Sequence, residues 1–93
     1  MSLQEALERR AGRVAALREA CAPIFGRSKS VTLEIGCGKG HYLSSYAARF
    51  PEETCVGIDL ISKRVEDGRR RAKNRNAGNV FFVKAEAMEF LAA

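Results

Sequence analysis

Alternating apolar and polar stretches divide the chain of 93 residues into helix-like and strand-like segments. From Leu3 to Cys21, apolar residues recur at spacings of three and four, which predicts an amphipathic helix that ends at Pro23 and Gly26. Three short apolar and β-branched runs follow: "VTLEI", "TCVGIDL" and "VFFVKA". Each run has the length and the polar or glycine boundaries of a buried strand.

The segments between these strands have helical spacing. "HYLSSYAARF" places its apolar side chains on one face, and Pro51 ends it. The next segment predicts a helix from Ser62 to about Asn76, with Ser62 as the N-cap and with Glu66 and Asp67 close to its first turn, where the helix dipole favours acids. "EAMEFLAA" begins a further helix.

This order of segments predicts the fold class. A helix is followed by β-α-β-α-β, and strands that alternate with helices form a parallel sheet with right-handed crossovers. We therefore expect an α/β protein with a three-stranded, Rossmann-like parallel sheet. Residues 1–28 are expected to form the N-terminal helix and its link, and residues 29–93 the ligand-binding unit.

Composition narrows the class of protein. The hydrophobic fraction of 46% and charged fraction of 29% are ordinary for a globular domain, so disorder is not expected. No apolar run approaches the roughly 20 residues of a membrane span, and charges from Glu5 onward argue against a secretory signal. The net charge is +5, and the segment from Lys63 to Arg75 carries seven basic residues against two acidic ones. The excess charge is therefore local and would attract a polyanion to one face.

The cysteines indicate a reducing, cytoplasmic environment. Cys21, Cys37 and Cys55 are widely spaced, no C-x-x-C occurs, and His41 is the single histidine, so no metal site is expected. Cys55 is expected inside a strand, and Cys37 lies in a glycine-rich loop where a small side chain is needed. A catalytic thiol is disfavoured, because no second histidine or other base partner is evident.

The glycine-rich loop "GCGKG" lies where the first strand leads into a helix. In a parallel sheet, ligands bind at the carboxyl ends of the strands, and glycines there leave the backbone bare beneath a ligand. The N–H groups at the start of the following helix favour an anionic group. Asp59 ends the second strand about 20 residues later, where a carboxylate can accept hydrogen bonds from a ribose diol. The G-x-G-x-G spacing differs from the dinucleotide-binding pattern; an oxidoreductase and a purely structural turn remain alternatives.

These motifs together resemble those of class I S-adenosylmethionine-dependent methyltransferases. The segments concerned are "VTLEIGCGKGHYL", "VGIDL" and "NVFFVKAEAMEFL". The longer segments "LEIGCGKG", "RFPEETCVGIDLISKRV" and "NVFFVKAEAMEF" together resemble the bacterial tRNA (guanine-N7-)-methyltransferases, over about Leu33 to Leu91. The resemblance implies half of a seven-stranded methyltransferase sheet, S-adenosylmethionine as cofactor, S-adenosylhomocysteine as product, and guanine N7 of tRNA as methyl acceptor.

The resemblance also implies roles for particular residues. The loop would lie beneath the methionine part of the cofactor, Glu34 would orient that loop or bond the amino group, and Asp59 would hold the ribose hydroxyls. Leu60 would pack on the adenine ring, Glu86 would accept from its exocyclic amine, and the Ala87 N–H would donate to its edge. The full cofactor-binding set is Glu34, Gly36, Cys37, Gly38, Gly40, Asp59, Leu60, Glu86 and Ala87. Asp59 replaces the family's usual Glu, and Glu86 its usual Asp.

Several family features are missing from this chain. The later Asp-Pro-rich motif that faces the target base is absent, so no catalytic residue is assigned. One side of the first strand would be an open edge, which invites pairing with another chain. We therefore expect the N-terminal half of a larger enzyme, or a chain that self-associates, and in isolation weak cofactor binding without methyl transfer.

The basic helix over residues 63–75 has two interpretations. It is either a solvated face or a surface for tRNA, and strong salt dependence of RNA binding would distinguish them. Two alternatives to a tRNA enzyme also remain open. One is a methyltransferase for a small molecule or protein, and the other is a catalytically silent module that binds a partner through the sheet edge or the basic helix.

Overall fold

The computed structural model describes residues 1–26 and 30–93. The elements are α1 (Leu3–Phe25), β1 (Val31–Ile35), α2 (His41–Arg49), β2 (Thr54–Asp59), α3 (Ser62–Asn74), β3 (Val80–Lys84) and α4 (Ala87–Ala92). All strand pairs are parallel and the strand order is β1-β2-β3, so β2 is the central strand. The predicted fold class is confirmed. Most of the predicted link after α1, residues 27–29, lies outside the described residues.

The sheet separates two apolar cores. Every residue of β2 is buried, and its side chains alternate between the two faces. Cys55 faces α2 and α3, where Leu43, Ala47, Val65, Ala72 and Phe82 complete the first core. Val56 and Ile58 face α1 and α4, where they pack with Cys21, Ile24, Ala85 and Phe90. The continuous burial of β2 explains why its sequence reads as an apolar run rather than as an alternation.

Phe82 and three glycines determine how closely α2 and α3 approach the sheet. A Cβ atom on Gly68 would lie 2.7 Å from the Phe82 ring, and one on Gly57 would lie 2.9 Å from it. A Cβ atom on Gly40 would lie 2.8 Å both from that ring and from the Gly68 Cα. Glycine at these positions therefore lets the aromatic ring fill the space between the two helices and the strands.

The predicted end of α1 at Pro23 is wrong, whereas the predicted end at Gly26 is confirmed, because Gly26 is the C-cap. The helix includes Pro23 and continues to Phe25, and the Gly26 N–H donates to the Ala22 carbonyl at 3.0 Å. Proline removes one intrahelical hydrogen bond, but burial of Cys21 and Ile24 against the sheet holds the last turns in place. The Arg13 Nε atom, 2.8 Å from Glu89 Oε1, ties the middle of α1 to α4.

The predicted cap of α3 is also wrong. Ser62 is the first helical residue, Ile61 occupies the N-cap position without a side-chain cap, and neither Glu66 nor Asp67 lies in the first turn. Asp59 supplies the missing acceptor, because its carboxylate receives the Ile61 N–H at 2.9 Å. The far end of the helix is at Asn74, two residues earlier than predicted, because the chain turns at Asn76 with φ of +55°.

The outer edge of β1 pairs with no strand among the residues that the structure describes. An apolar hollow lies beside it, lined by Phe25, Val31, Leu33, Phe90, Leu91 and Ala93. Self-association through this edge stays a prediction, as does the division of the chain at residue 28. Within residues 1–26 and 30–93, no helix has the length and hydropathy needed to cross a membrane.

Candidate functional site

A cleft of about 440 Å³ lies at the carboxyl end of the sheet. The cleft is lined by the last residues of β1 and β2, by the segments that follow all three strands, and by Arg64 of α3. These residues are Ile35, Gly36, Ile58, Asp59, Leu60, Ile61, Arg64, Ala85, Glu86 and Ala87. Parallel strands bring their carboxyl ends to one edge. The fold thereby collects the three sequence motifs around a single concave site.

The glycine loop is held by hydrogen bonds to the end of β2. The N–H groups of Gly36 and Cys37 both donate to the Ile58 carbonyl, at 2.9 and 3.0 Å, and the Gly38 N–H donates to Asp59 Oδ2 at 3.1 Å. The three loop glycines have φ values of +70°, +57° and +77°, which favour glycine. The loop conformation is therefore built by the protein itself.

The three loop glycines have different surroundings. Cβ atoms on Gly36 and Gly38 would meet no atom within 4 Å, whereas one on Gly40 would collide with Gly68 of α3. Gly36 is exposed at the cleft wall, and Gly40 is buried as the N-cap of α2. The bare backbone that a ligand would require is thus at Gly36 and Gly38. Gly40 supports the loop from below, and its assignment as a cofactor contact stays a prediction.

Asp59 joins the loop to the second strand. Its side chain is almost fully buried, its Oδ1 atom accepts from the Ile61 N–H at 2.9 Å, and its Oδ2 atom accepts from the Gly38 N–H. The Ile61 hydrogen bond is the main cause that lowers the pKa of this carboxyl, and the Arg64 guanidinium, 3.9 Å away, acts in the same direction. Each oxygen of an ionised carboxylate can accept more than one hydrogen bond, so Asp59 retains capacity for a ligand's hydroxyls.

Glu34 is the unsatisfied polar group of this region. It is the penultimate residue of β1, and its Oε1 atom is buried without a hydrogen-bond partner. Burial raises the pKa of this carboxyl. A buried acceptor without a donor is costly, and a ligand that supplies a donor would offset that cost.

Glu86 has a structural role that the sequence analysis missed. It is the N-cap of α4, and its carboxylate accepts from the N–H groups of Met88 at 3.0 Å and Glu89 at 2.9 Å. No local signal predicted this cap, because glutamate is not among the preferred N-cap residues. Its predicted contact with an adenine amine stays a prediction. The neighbouring Leu60 is largely exposed at the rim of the cleft.

Cys37 is turned away from the cleft. Its side chain is buried in the first core, and the Cys37 Cβ is the nearest atom, at 2.9 Å, to a Cβ built on Gly57. Burial raises the pKa of its thiol to about 11, so the thiolate is not populated at neutral pH. Cys37 therefore serves as a small packing residue beneath the loop. No group of three or more candidate metal ligands occurs in the described part of the chain.

The fold divides the basic run of α3 into different groups. Arg69 donates from Nε to the Phe82 carbonyl at 3.0 Å, and Arg71 donates from Nε to the Lys39 carbonyl at 2.9 Å. Arg70 forms an ion pair with Asp67 at 2.9 Å on the same helix. Lys63, Lys73 and Arg75 are exposed. Part of the positive charge is therefore tied to the protein's own backbone.

Comparison with known proteins finds similarity to methyltransferases. A family profile described as "Putative methyltransferase" matches residues 28–93. Two bacterial proteins named tRNA (guanine-N(7)-)-methyltransferase are similar to this chain. The protein from Chloroflexus aurantiacus is 39% identical over 64 residues, which are 69% of this chain and 29% of that protein. The protein from Rubrobacter xylanophilus is 36% identical over 63 residues, which are 68% of this chain and 28% of that protein.

A solved structure supports the same relationship. PKMT2 from Rickettsia typhi, in complex with AdoHcy, superposes with a TM-score of 0.58 at 27% identity, over 63% of this chain and 12% of that one. The matched segments are therefore less than a third of the relatives' length. Because the family profile covers more than half of the chain, including the glycine loop and all three strands, the chain belongs to this family of putative methyltransferases.

Proposed function

We propose that this chain is the cofactor-binding part of an S-adenosylmethionine-dependent methyltransferase that methylates guanine N7 in tRNA. The observation that carries the proposal is the cleft at the carboxyl end of the sheet, where Gly36 leaves the backbone bare and Asp59 presents a carboxylate. The names of the similar bacterial proteins support tRNA as the methyl acceptor.

The residues that line the cleft, together with Glu34 and Gly38 in the adjoining chain segment, fit this cofactor. The oxygens of Asp59 can accept from ribose hydroxyls, and the exposed side chain of Leu60 can cover an adenine ring. Glu34 has an unpartnered buried oxygen that suits the positively charged amino group of the methionine part. Gly36 and Gly38 provide the open backbone on which that part would lie. Ala87, at the start of α4, lines the cleft and would face the adenine edge.

The chemistry demands little acid–base machinery from the protein. When bound, S-adenosylmethionine supplies a methyl group already activated on its sulfonium, and guanine N7 has a free lone pair. Residues of this chain would bind and orient the cofactor and exclude water from it, and positioning contributes most of the rate in such a reaction. The absence of a recognised general base among the described residues is therefore compatible with the proposal.

We further propose that tRNA contacts the outer face of α3. The exposed Lys63, Lys73 and Arg75 support this proposal. Arg69 and Arg71 each donate from Nε to a backbone carbonyl, which fixes the position of these two guanidinium groups on the helix. RNA binding by this face should weaken steeply between 50 and 200 mM salt. Binding that is insensitive to salt would contradict the contact.

Calorimetric titration with S-adenosylhomocysteine tests the cofactor site. We expect Asp59→Ala to weaken binding by at least about tenfold, because hydrogen bonds to a charged group are each worth roughly 1.5–3 kcal/mol. Asp67→Ala is the matched control, since Asp67 is an equally buried acid on α3 that pairs with Arg70 and does not line the cleft. Equal affinity in the wild-type and Asp59→Ala chains, with circular dichroism showing both folded, would contradict the proposal.

A further inference from the structure

The glycine loop is held at two ends by different elements. Residues Gly36, Cys37 and Gly38 are bonded to the end of β2. Beyond Gly38, the Gly40 N–H donates to the Cys37 carbonyl at 3.1 Å, within the loop itself. A side-chain hydrogen bond to this second half comes from α3, where Arg71 donates to the Lys39 carbonyl.

Arg71 differs from its basic neighbours on the same helix. Its side chain is half-buried, whereas Arg70 and Lys73 are exposed. The distance of 2.9 Å between Arg71 Nε and the Lys39 carbonyl joins residues 32 positions apart in the sequence. Gly40 packs against Gly68, one turn earlier on α3, so the backbone contact and the Arg71 bond hold adjacent points of the loop to one helix.

We infer that Arg71 is a positioning residue for the cofactor loop. It orients the Lys39 peptide and thereby fixes the turn from Gly38 into α2. The inference rests on the proposed function, because it assigns Arg71 to the cofactor loop rather than to the RNA-binding face of α3. Arg71 need not touch the cofactor, since it acts through the Lys39 backbone. The guanidinium suits this task because its planar donors reach a carbonyl in a fixed geometry.

The first test measures the loop without any ligand. Amide hydrogen exchange of Gly38 and Gly40 is compared among the wild-type chain, Arg71→Ala, Arg71→Lys and Lys73→Ala. We expect the Gly40 amide to exchange about tenfold faster in Arg71→Ala, with Arg71→Lys between it and wild type and with the β2 amide of Val56 unchanged. Lys73→Ala removes the same charge from the same helix and should leave the loop unchanged. Unaltered Gly40 exchange in Arg71→Ala would overturn the inference.

The second test measures affinity for S-adenosylhomocysteine by calorimetry in the same four chains. We expect Arg71→Ala to weaken binding about fivefold, corresponding to one lost hydrogen bond, with partial rescue in Arg71→Lys and less than about twofold change in Lys73→Ala. If Arg71→Ala and Lys73→Ala weakened S-adenosylhomocysteine binding equally, the loss of net charge would explain the effect and the inference would be overturned. If the wild-type chain bound no S-adenosylhomocysteine, the proposed function would fail, while the exchange data would still decide whether Arg71 positions the loop.

Discussion

The two ends of the sheet use polar side chains in opposite ways. At the amino end, the two N–H groups of the buried Asn79 Nδ2 are shared among the carbonyls of Ala47, Phe50 and Glu53, which lie 3.0, 3.0 and 2.8 Å from that nitrogen. The Tyr46 hydroxyl donates to Glu53 at 2.9 Å. At this end the polar groups satisfy one another and connect α2 and β2 to the start of β3.

At the carboxyl end of the sheet, polar groups keep unused hydrogen-bonding capacity. Glu34 has a buried oxygen without a partner, Asp59 can accept further hydrogen bonds, and a Cβ on Gly36 would meet only open space. One sheet can therefore have paired polar groups that stabilise it at one end and unpaired polar groups that are available to a ligand at the other. Mutations at the amino end should therefore reduce stability alone, and mutations at the carboxyl end, apart from the tightly packed Gly40, should affect binding with smaller costs in stability.

Gly40 is the tightly packed position of the glycine loop at the carboxyl end of the sheet. Its substitution should change stability more than any other substitution considered below. Gly40→Ala combines a left-handed backbone with a collision against Gly68 and Phe82, so we expect a loss of about 3–4 kcal/mol in the free energy of unfolding. Gly36→Ala is the matched control, because it has the same kind of φ but open space, and should cost about 1–2 kcal/mol. Urea unfolding measures both. Equal losses would show that the packing at Gly40 is not tight.

Asn79→Ala tests the amino end. Removing the amide leaves one buried and two partly buried carbonyls without this donor, and we expect a loss of about 2–3 kcal/mol in the free energy of unfolding. The affinity of the folded protein for S-adenosylhomocysteine should stay within about twofold of wild type. Urea unfolding and calorimetry at a temperature where the variant is folded measure the two quantities. A large loss of affinity in Asn79→Ala would break the separation between the two ends.

Glu34→Gln tests whether a substitution at the carboxyl end of the sheet can increase stability. Burial raises the pKa of Glu34, so the folded protein disfavours its charged form, and stability is lost as pH rises through the folded pKa. We therefore expect Glu34→Gln to be more stable than wild type at pH 7 by about 0.5–1 kcal/mol, discounted for partial exposure. The difference should vanish below the unfolded pKa of Glu, near pH 4. Urea unfolding at both pH values measures it.

The control for this prediction is Asp59, which lines the cleft at the same end of the sheet. Hydrogen bonds lower the pKa of Asp59, so the stability that it contributes is present above its unfolded pKa and is lost as pH falls through the folded value. Acid should therefore act on Asp59 and Glu34 in opposite directions. A wild-type chain more stable than Glu34→Gln at pH 7 would show that Glu34 already has a donor in the free protein.

The order of elements, the parallel sheet, the glycine loop and the position of Asp59 could all be predicted from the sequence. Each of these follows from local signals: the period of apolar residues, the length of a run, and glycine next to a strand. Local signals failed where packing overrode them. Burial of Cys21 and Ile24 carries α1 past Pro23, and Asp59 replaces Ser62 as the acceptor near the start of α3.

The hydrogen-bond partners that are far apart in the sequence could be identified only from the tertiary structure. The bond from Gly38 to Asp59 joins residues 21 positions apart, and the bonds from Arg71 to Lys39 and from Asn79 to Ala47 each join residues 32 positions apart. No periodicity encodes such partners, because each depends on how two elements pack across the sheet. The basic run of α3 shows this: its composition predicted one basic face, and the packing brought Arg69 and Arg71 within hydrogen-bond distance of the Phe82 and Lys39 carbonyls.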